Sequence, residues 1–113
     1  MTLPNFVIIG APKCATDSVA RWLARHPDCA MTEEKEPFYL MDAASRAGGQ
    51  PTWATHGIEG YEALFERTRG FAVRFEATTH YYVQDTAFEV LRDLPTQPRV
   101  AMLVRQPSDR FRS

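Results

Sequence analysis

The stretch Phe6-Val7-Ile8-Ile9-Gly10-Ala11-Pro12-Lys13-Cys14-Ala15-Thr16-Asp17-Ser18-Val19-Ala20-Arg21-Trp22-Leu23 decides the fold. Its opening, Phe6-Val7-Ile8-Ile9, is a continuous β-branched and aromatic run, which suits a strand buried on both faces of a parallel sheet. Gly10-Ala11-Pro12 breaks that run. From Thr16 the period changes: Val19, Ala20, Trp22 and Leu23 recur at helical spacing with Arg21 and Arg25 off that face, so Trp22 is expected in the core. His26-Pro27 ends the helix, because the residue before a proline avoids the helical region. The first unit is therefore strand, tight loop, helix.

Working outward, the same alternation continues. Asp28–Met31 fits a short second strand, and Thr32–Pro37 is a charged loop holding Glu33, Glu34, Lys35 and Glu36. Phe38-Tyr39-Leu40 returns to apolar character. Asp42–Gly57 shows little periodicity and reads as a long surface loop, in which Trp53 is a candidate acceptor contact. Tyr61, Leu64 and Phe65 give one face of a short helix, with Gly70 as a stop signal. Phe71–Phe75 reads as another strand, ending at Glu76. Thr86-x-x-Glu89 matches a capping box opening a helix with Val90, Leu91 and Leu94 inward, and Pro95 and Pro98 close it. Val100-Ala101-Met102-Leu103-Val104 is an apolar strand, and Pro107 stands where a further helix could begin. Strands alternating with helices indicate an α/β fold with a mainly parallel sheet flanked by helices. Three strong strands and an end just inside a helix lead us to expect a truncated domain.

Composition narrows the function. The chain has 113 residues, 44% hydrophobic and 24% charged, with a formal net charge of −1. That is one ordinary globular domain. The near-neutral balance argues against nucleic acid or an anionic membrane surface as partner. The apolar run at Phe6–Ile9 is far short of the ~20 residues a membrane helix needs, and no signal-peptide core precedes it. No membrane span and a cytosolic location are therefore expected. Cys14 and Cys29 are read as reduced thiols. No His, Cys and carboxylate grouping has metal-ligand spacing, so no metal is expected.

The loop between the first strand and helix carries the chemistry. Backbone N–H groups and a helix N-terminus gather there, as anion sites require. Lys13 adds a mobile cation, and Thr16 and Ser18 add hydroxyls in the first helical turn. The loop is not a Walker A motif, since nothing reads Gly-Lys-Ser/Thr.

Gly10-Ala11-Pro12-Lys13-Cys14-Ala15-Thr16-Asp17-Ser18 resembles the 5′-phosphosulfate loop of the sulfotransferases that use PAPS (3′-phosphoadenosine 5′-phosphosulfate). Members read Gly-x-Pro-Lys-x-Gly-Thr-Thr-Ser-Leu there. Lys13, Thr16 and Ser18 match, and Cys14 falls at a variable position. Ala15 replaces Gly, and Asp17 replaces Thr or Ser and is expected to point outward. Arg105-Gln106-Pro107-Ser108-Asp109-Arg110-Phe111-Arg112-Ser113 is similar to the family's Arg-x-Pro-x-x-Arg-x-x-Ser motif. The resemblance makes Arg105 and Ser113 the 3′-phosphate ligands, while Arg110 is read as structural rather than as a ligand. Lys35-Glu36-Pro37-Phe38-Tyr39 is similar to Lys-Glu-Pro-His-Phe-Phe, whose Glu is a general base in the carbohydrate-acting branch. Glu76-Ala77-Thr78-Thr79-His80-Tyr81-Tyr82 looks like Glu-x-Ser/Thr-Pro-x-Tyr on the acceptor side, with Thr79 where Pro is usual and Ala77 where some relatives carry a catalytic Lys.

The resemblance covers nearly the whole chain and implies a P-loop-like sulfotransferase fold, with residues 1–113 its amino-terminal part. It implies sulfuryl transfer from PAPS to an acceptor hydroxyl or amine on a small molecule or carbohydrate. Lys13 and Glu36 would be catalytic. Lys13, Cys14, Ala15, Thr16, Asp17, Ser18, Arg105 and Ser113 would hold the donor, without a metal. The residues by themselves leave His80 open as a rival base. They also leave open a P-loop kinase and a non-catalytic nucleotide-binding module. The acceptor and the oligomeric state are not legible.

Overall fold

The computed structural model describes residues 2–34, 36–42 and 51–104. Four strands, β1 (Phe6–Gly10), β2 (Cys29–Met31), β3 (Val73–Ala77) and β4 (Arg99–Met102), form one sheet in the order β2-β3-β1-β4. Every described pairing is parallel. Three helices, α1 (Thr16–Ala24), α2 (Trp53–Leu64) and α3 (Asp85–Asp93), complete an α/β architecture of the expected class.

The alternation of side chains along β1 explains why its apolar run is continuous. Ile8, with Phe6, packs beside Phe75 and Ala77 of β3 against Ala20, Val19 and Leu23 of α1. Val7 and Ile9 face the opposite layer, built from Tyr39, Leu40, Tyr61, Phe65, Tyr81, Val90 and Leu91. Asn5 sets the register at the strand entrances. Its side chain donates to the Ala72 carbonyl at 2.8 Å and accepts from the Arg74 N–H at 2.9 Å, and its carbonyl accepts from Arg99.

Several local expectations need correction. Trp22 is not core but 72% exposed. Two residues on from the fully buried Ala20 is a rotation of roughly 200°, which carries Trp22 round to solvent. Of the segment read as a loop from Asp42 to Gly57, residues 43–50 lie outside the described residues, but helix α2 already begins at Trp53. Thr52 and Thr55 form a reciprocal cap, with the Thr52 N–H donating to Thr55 Oγ1 at 2.9 Å, and Gly57 at φ 60°, ψ −155° kinks the helix. Trp53 is a packing residue, edge-on to Tyr39 and Tyr61 with ring centroids 6.5 and 6.0 Å away. Strand β3 starts at Val73 rather than Phe71 and runs to Ala77.

The Thr86–Glu89 capping box does not form. The first turn of α3 is capped from a distance by Asp42, whose Oδ1 accepts from the Thr86 N–H at 2.8 Å and Oδ2 from Asp85 at 3.3 Å. Those bonds hold the Asp42 carboxyl below its ordinary value. The Asp42 N–H donates to Gln84 Oε1 at 2.8 Å, tying the same two segments again. Strand β4 ends at Met102 rather than Val104, and though apolar it is largely exposed at Val100 and Met102, because within the described residues it has a neighbour on one side only.

Candidate active site

Parallel strands deliver their carboxyl ends to one edge of the sheet, the edge where α/β folds bind ligands. Here the loop after β1 and the turn after β3 meet across a cleft of about 210 Å³. One wall is Pro12, Lys13, Ala15, Thr16 and Asp17; the other is Glu36, Ala77 and Thr79. Gly10 lets the walls approach. A Cβ there would lie 2.9 Å from Tyr82 Cδ1 and 3.3 Å from the Thr79 carbonyl oxygen, so only a bare backbone fits.

The first wall is shaped by its own backbone. Lys13 and Ala15 both take the left-handed conformation, each at φ 63°. The Cys14 side chain between them is buried, while Lys13 and Ala15 are exposed. For alanine this geometry costs about 1 kcal/mol. The Thr16 hydroxyl donates to the Ala11 carbonyl at 3.2 Å, closing the loop on itself. Asp17 lines the cleft and also pairs with Arg21 one turn along, at 3.2 Å, so its expected outward turn is only partial. Ser18 is exposed and Cys14 buried, and neither lines the cleft. The root of the loop is fixed to the end of β4, with the Ala11 N–H donating to Leu103 at 3.0 Å and the Leu103 N–H to Gly10 at 2.9 Å. A cation beside the first N–H groups of a nine-residue helix fits an oxyanion.

The second wall is assembled across the chain. Glu36 Oε1 accepts from the Thr79 N–H at 3.0 Å and from the Thr79 hydroxyl at 2.9 Å. His80 is exposed, stands outside the cleft lining, and tilts against the Phe38 ring with centroids 5.5 Å apart.

Beneath this wall lies a polar cluster that the sequence did not reveal. Glu76 is fully buried and accepts from the Tyr61 hydroxyl at 2.5 Å and the Thr78 hydroxyl at 2.8 Å. Burial pushes its carboxyl up to about 7, against the opposing pull of hydrogen bonds from Tyr61, Thr78 and Tyr81. The Tyr61 and Tyr81 hydroxyls are raised well above their ordinary value, first by burial and then by the Glu76 charge. The Tyr81 oxygen accepts from the Tyr39 and Leu40 N–H groups at 3.0 and 3.1 Å. The only signal for this cluster is period 2 along β3. It turns Glu76 away from Phe75 and Ala77 into the aromatic layer.

Arg105, Arg110 and Ser113, and Lys35 beside Glu36, lie outside the described residues.

No family model matches the chain. Over 113 residues, 97% of its length, it is 26% identical to the membrane-associated sulfotransferase kil1 of Dictyostelium discoideum, of which it spans 22%. Its backbone matches a solved sulfotransferase from Alicyclobacillus acidocaldarius with a TM-score of 0.74 and 27% identity, covering 97% of this chain and 47% of that one. The chain thus spans less than half the length of either protein. Among the described residues, no helix is long and apolar enough to cross a membrane. Both likenesses extend over almost the whole chain, and both are to sulfotransferases.

Proposed function

We propose that this chain supplies the donor loop and the acceptor-side base of a sulfotransferase that uses PAPS. The observation that carries the reading is that Lys13 and Glu36 stand on opposite walls of one cleft. PAPS brings a sulfuryl group on a phosphate that leaves readily. Lys13 and the first-turn N–H groups of α1 hold the 5′ end of the donor and meet the negative charge that develops on the bridging oxygen. Glu36 takes the proton of the acceptor hydroxyl or amine as its oxygen or nitrogen bonds to sulfur. The sulfur–oxygen bond to the phosphate breaks, and adenosine 3′,5′-bisphosphate leaves. Such a base is worth typically ~10²–10⁴-fold in rate.

Arg105 and Ser113 complete the proposal as ligands of the 3′-phosphate. In support, Leu103, two residues before Arg105, is bonded to Gly10 and Ala11 at the root of the donor loop. Residues 1–113 then form the amino-terminal part of one domain, in keeping with the 47% of the solved relative that they span. The acceptor is a small molecule or a carbohydrate. A cytosolic location belongs to the same proposal, although the Dictyostelium relative is named as membrane-associated.

Calorimetry with adenosine 3′,5′-bisphosphate and with ATP–Mg²⁺ tests the donor. The expected result is preference for the bisphosphate, weakened by Arg105→Ala; preference for ATP–Mg²⁺ overturns the reading. In the full-length protein, Glu36→Gln is expected to lower kcat with little change in donor binding, and a normal rate would assign the base elsewhere.

A further inference from the structure

We propose that Thr79 is the positioning residue of the Glu36 carboxylate, holding one oxygen so that the other faces the acceptor. The inference rests on the reading of Glu36 as the base. Thr79 grips Glu36 twice from a single residue, through its backbone N–H at 3.0 Å and its hydroxyl at 2.9 Å. Both bonds fall on Oε1, which fixes the plane of the carboxylate and leaves proton acceptance to Oε2. Both residues line the same cleft as Lys13.

The grip is effective because each partner is mounted on something rigid. The turn carrying Thr79 is pinned to β1 by the Thr78 N–H, which donates to the Ile8 carbonyl at 3.0 Å. It is pinned to the buried Glu76 by the Thr78 hydroxyl at 2.8 Å. The segment carrying Glu36 is pinned just downstream, where the Tyr39 and Leu40 N–H groups both donate to the Tyr81 hydroxyl oxygen. Tyr81 itself follows Thr79 by two residues, and its N–H donates to the Thr78 carbonyl at 3.2 Å. The distance from Glu36 to the donor loop is therefore set by the end of β3, with Thr79 as the final link. A carboxylate on a charged loop without such a link would sample many rotamers, and a general base needs its oxygen held near the proton it removes.

The test compares Thr79→Val, which keeps the shape and the N–H but loses the hydroxyl, with Thr79→Ser, which keeps both donors. In the full-length protein, Thr79→Val is expected to lower kcat roughly 10- to 100-fold while the KM for PAPS stays within about twofold, and Thr79→Ser to restore most of the rate. A second readout needs no turnover. In the ¹⁵N-labelled chain, the Thr79 amide resonance should follow the protonation of Glu36 and lose that response in Glu36→Gln. A Thr79 amide indifferent to Glu36, or a Thr79→Val variant with wild-type kcat beside a slow Glu36→Gln, would overturn the inference. A normal rate for Glu36→Gln with a responsive Thr79 amide would instead refute the base and leave the grip standing.

Discussion

The loop after β1 takes its shape from neighbours in sequence, whereas the wall facing it is assembled from residues 43 positions apart. In the loop, Lys13 and Ala15 turn left-handed around the buried Cys14, and Thr16 bonds to Ala11 only five residues back. In the facing wall, Glu36 depends on Thr79, and Thr79 depends on a turn anchored to the buried Glu76. One wall stores modest backbone strain and leaves Lys13 and Ala15 exposed. The other carries a buried polar network that is high-stakes because each member relies on the rest. Substitutions in the loop should therefore change ligand chemistry with little effect on folding, and substitutions behind the facing wall should change stability and its pH dependence.

The largest effect is expected on the loop side. Lys13→Ala should reduce sulfuryl transfer by the full-length protein at least ~10²–10³-fold while leaving the urea midpoint nearly unchanged, because Lys13 is exposed. A large loss of stability would show that the loop is not the locally determined element described above.

Next comes the charge buried behind the other wall. The folded-state value of Glu76, about 7, lies above the ordinary 4.5. The fold thus holds that proton more tightly than the unfolded chain does. Its contribution to stability is fully present below the unfolded value and is lost as pH rises from about 4.5 to about 7. Over that window the loss attributable to this group is roughly 3 kcal/mol. Glu76→Gln should remove most of that slope in urea denaturation at pH 5 and pH 8, and an unchanged slope would refute the assignment.

Smaller again is Tyr81→Phe. It takes the acceptor from two N–H groups, Tyr39 and Leu40, and should destabilise the chain by about 2 kcal/mol. It should also loosen the Glu36 segment, seen as faster amide exchange at residues 36–40. The smallest effect is a gain: Ala15→Gly should stabilise by about 1 kcal/mol by relieving the left-handed alanine. A loss of stability there would mean that the loop geometry is held differently.

This contrast also explains what could be read in advance. The unit from Phe6 to Ala24 was legible because strand, loop and helix each follow from local composition. Within it Trp22 was misplaced, because its bulk reads as core although the helical turn carries it to solvent. The second half of helix α2 was legible from Tyr61 and Leu64, but its first half was hidden because Gly57 and Gly60 interrupt the pattern and its cap uses Thr52 and Thr55, which read equally well as loop. The cap of α3 was illegible for a stronger reason: Asp42 acts on Thr86 from 44 residues away. On the loop side, Lys13 could be reached from the anion-site pattern. Glu36, and the segment holding Glu76, Thr79 and Tyr81, could be reached only through a family resemblance, and neither the bonds of Thr79 to Glu36 nor the pairing of Glu76 with Tyr61 could be read from it. Periodicity can give the face a side chain such as Glu76 takes, but not the distant residue it meets there. The same wall that was hardest to foresee is the one whose failure should spread furthest.

On the proposed function, the two walls face one another across bound donor. The most direct measurement is a titration of the ¹⁵N-labelled chain with adenosine 3′,5′-bisphosphate, followed residue by residue. Saturable shifts are expected at the amides of residues 13–18, with the Thr79 amide moving in the same titration and ATP–Mg²⁺ producing weaker changes. Shifts confined to the other end of α1, around Arg25, His26 and Arg67, or no saturable shift in the loop at all, would contradict this arrangement.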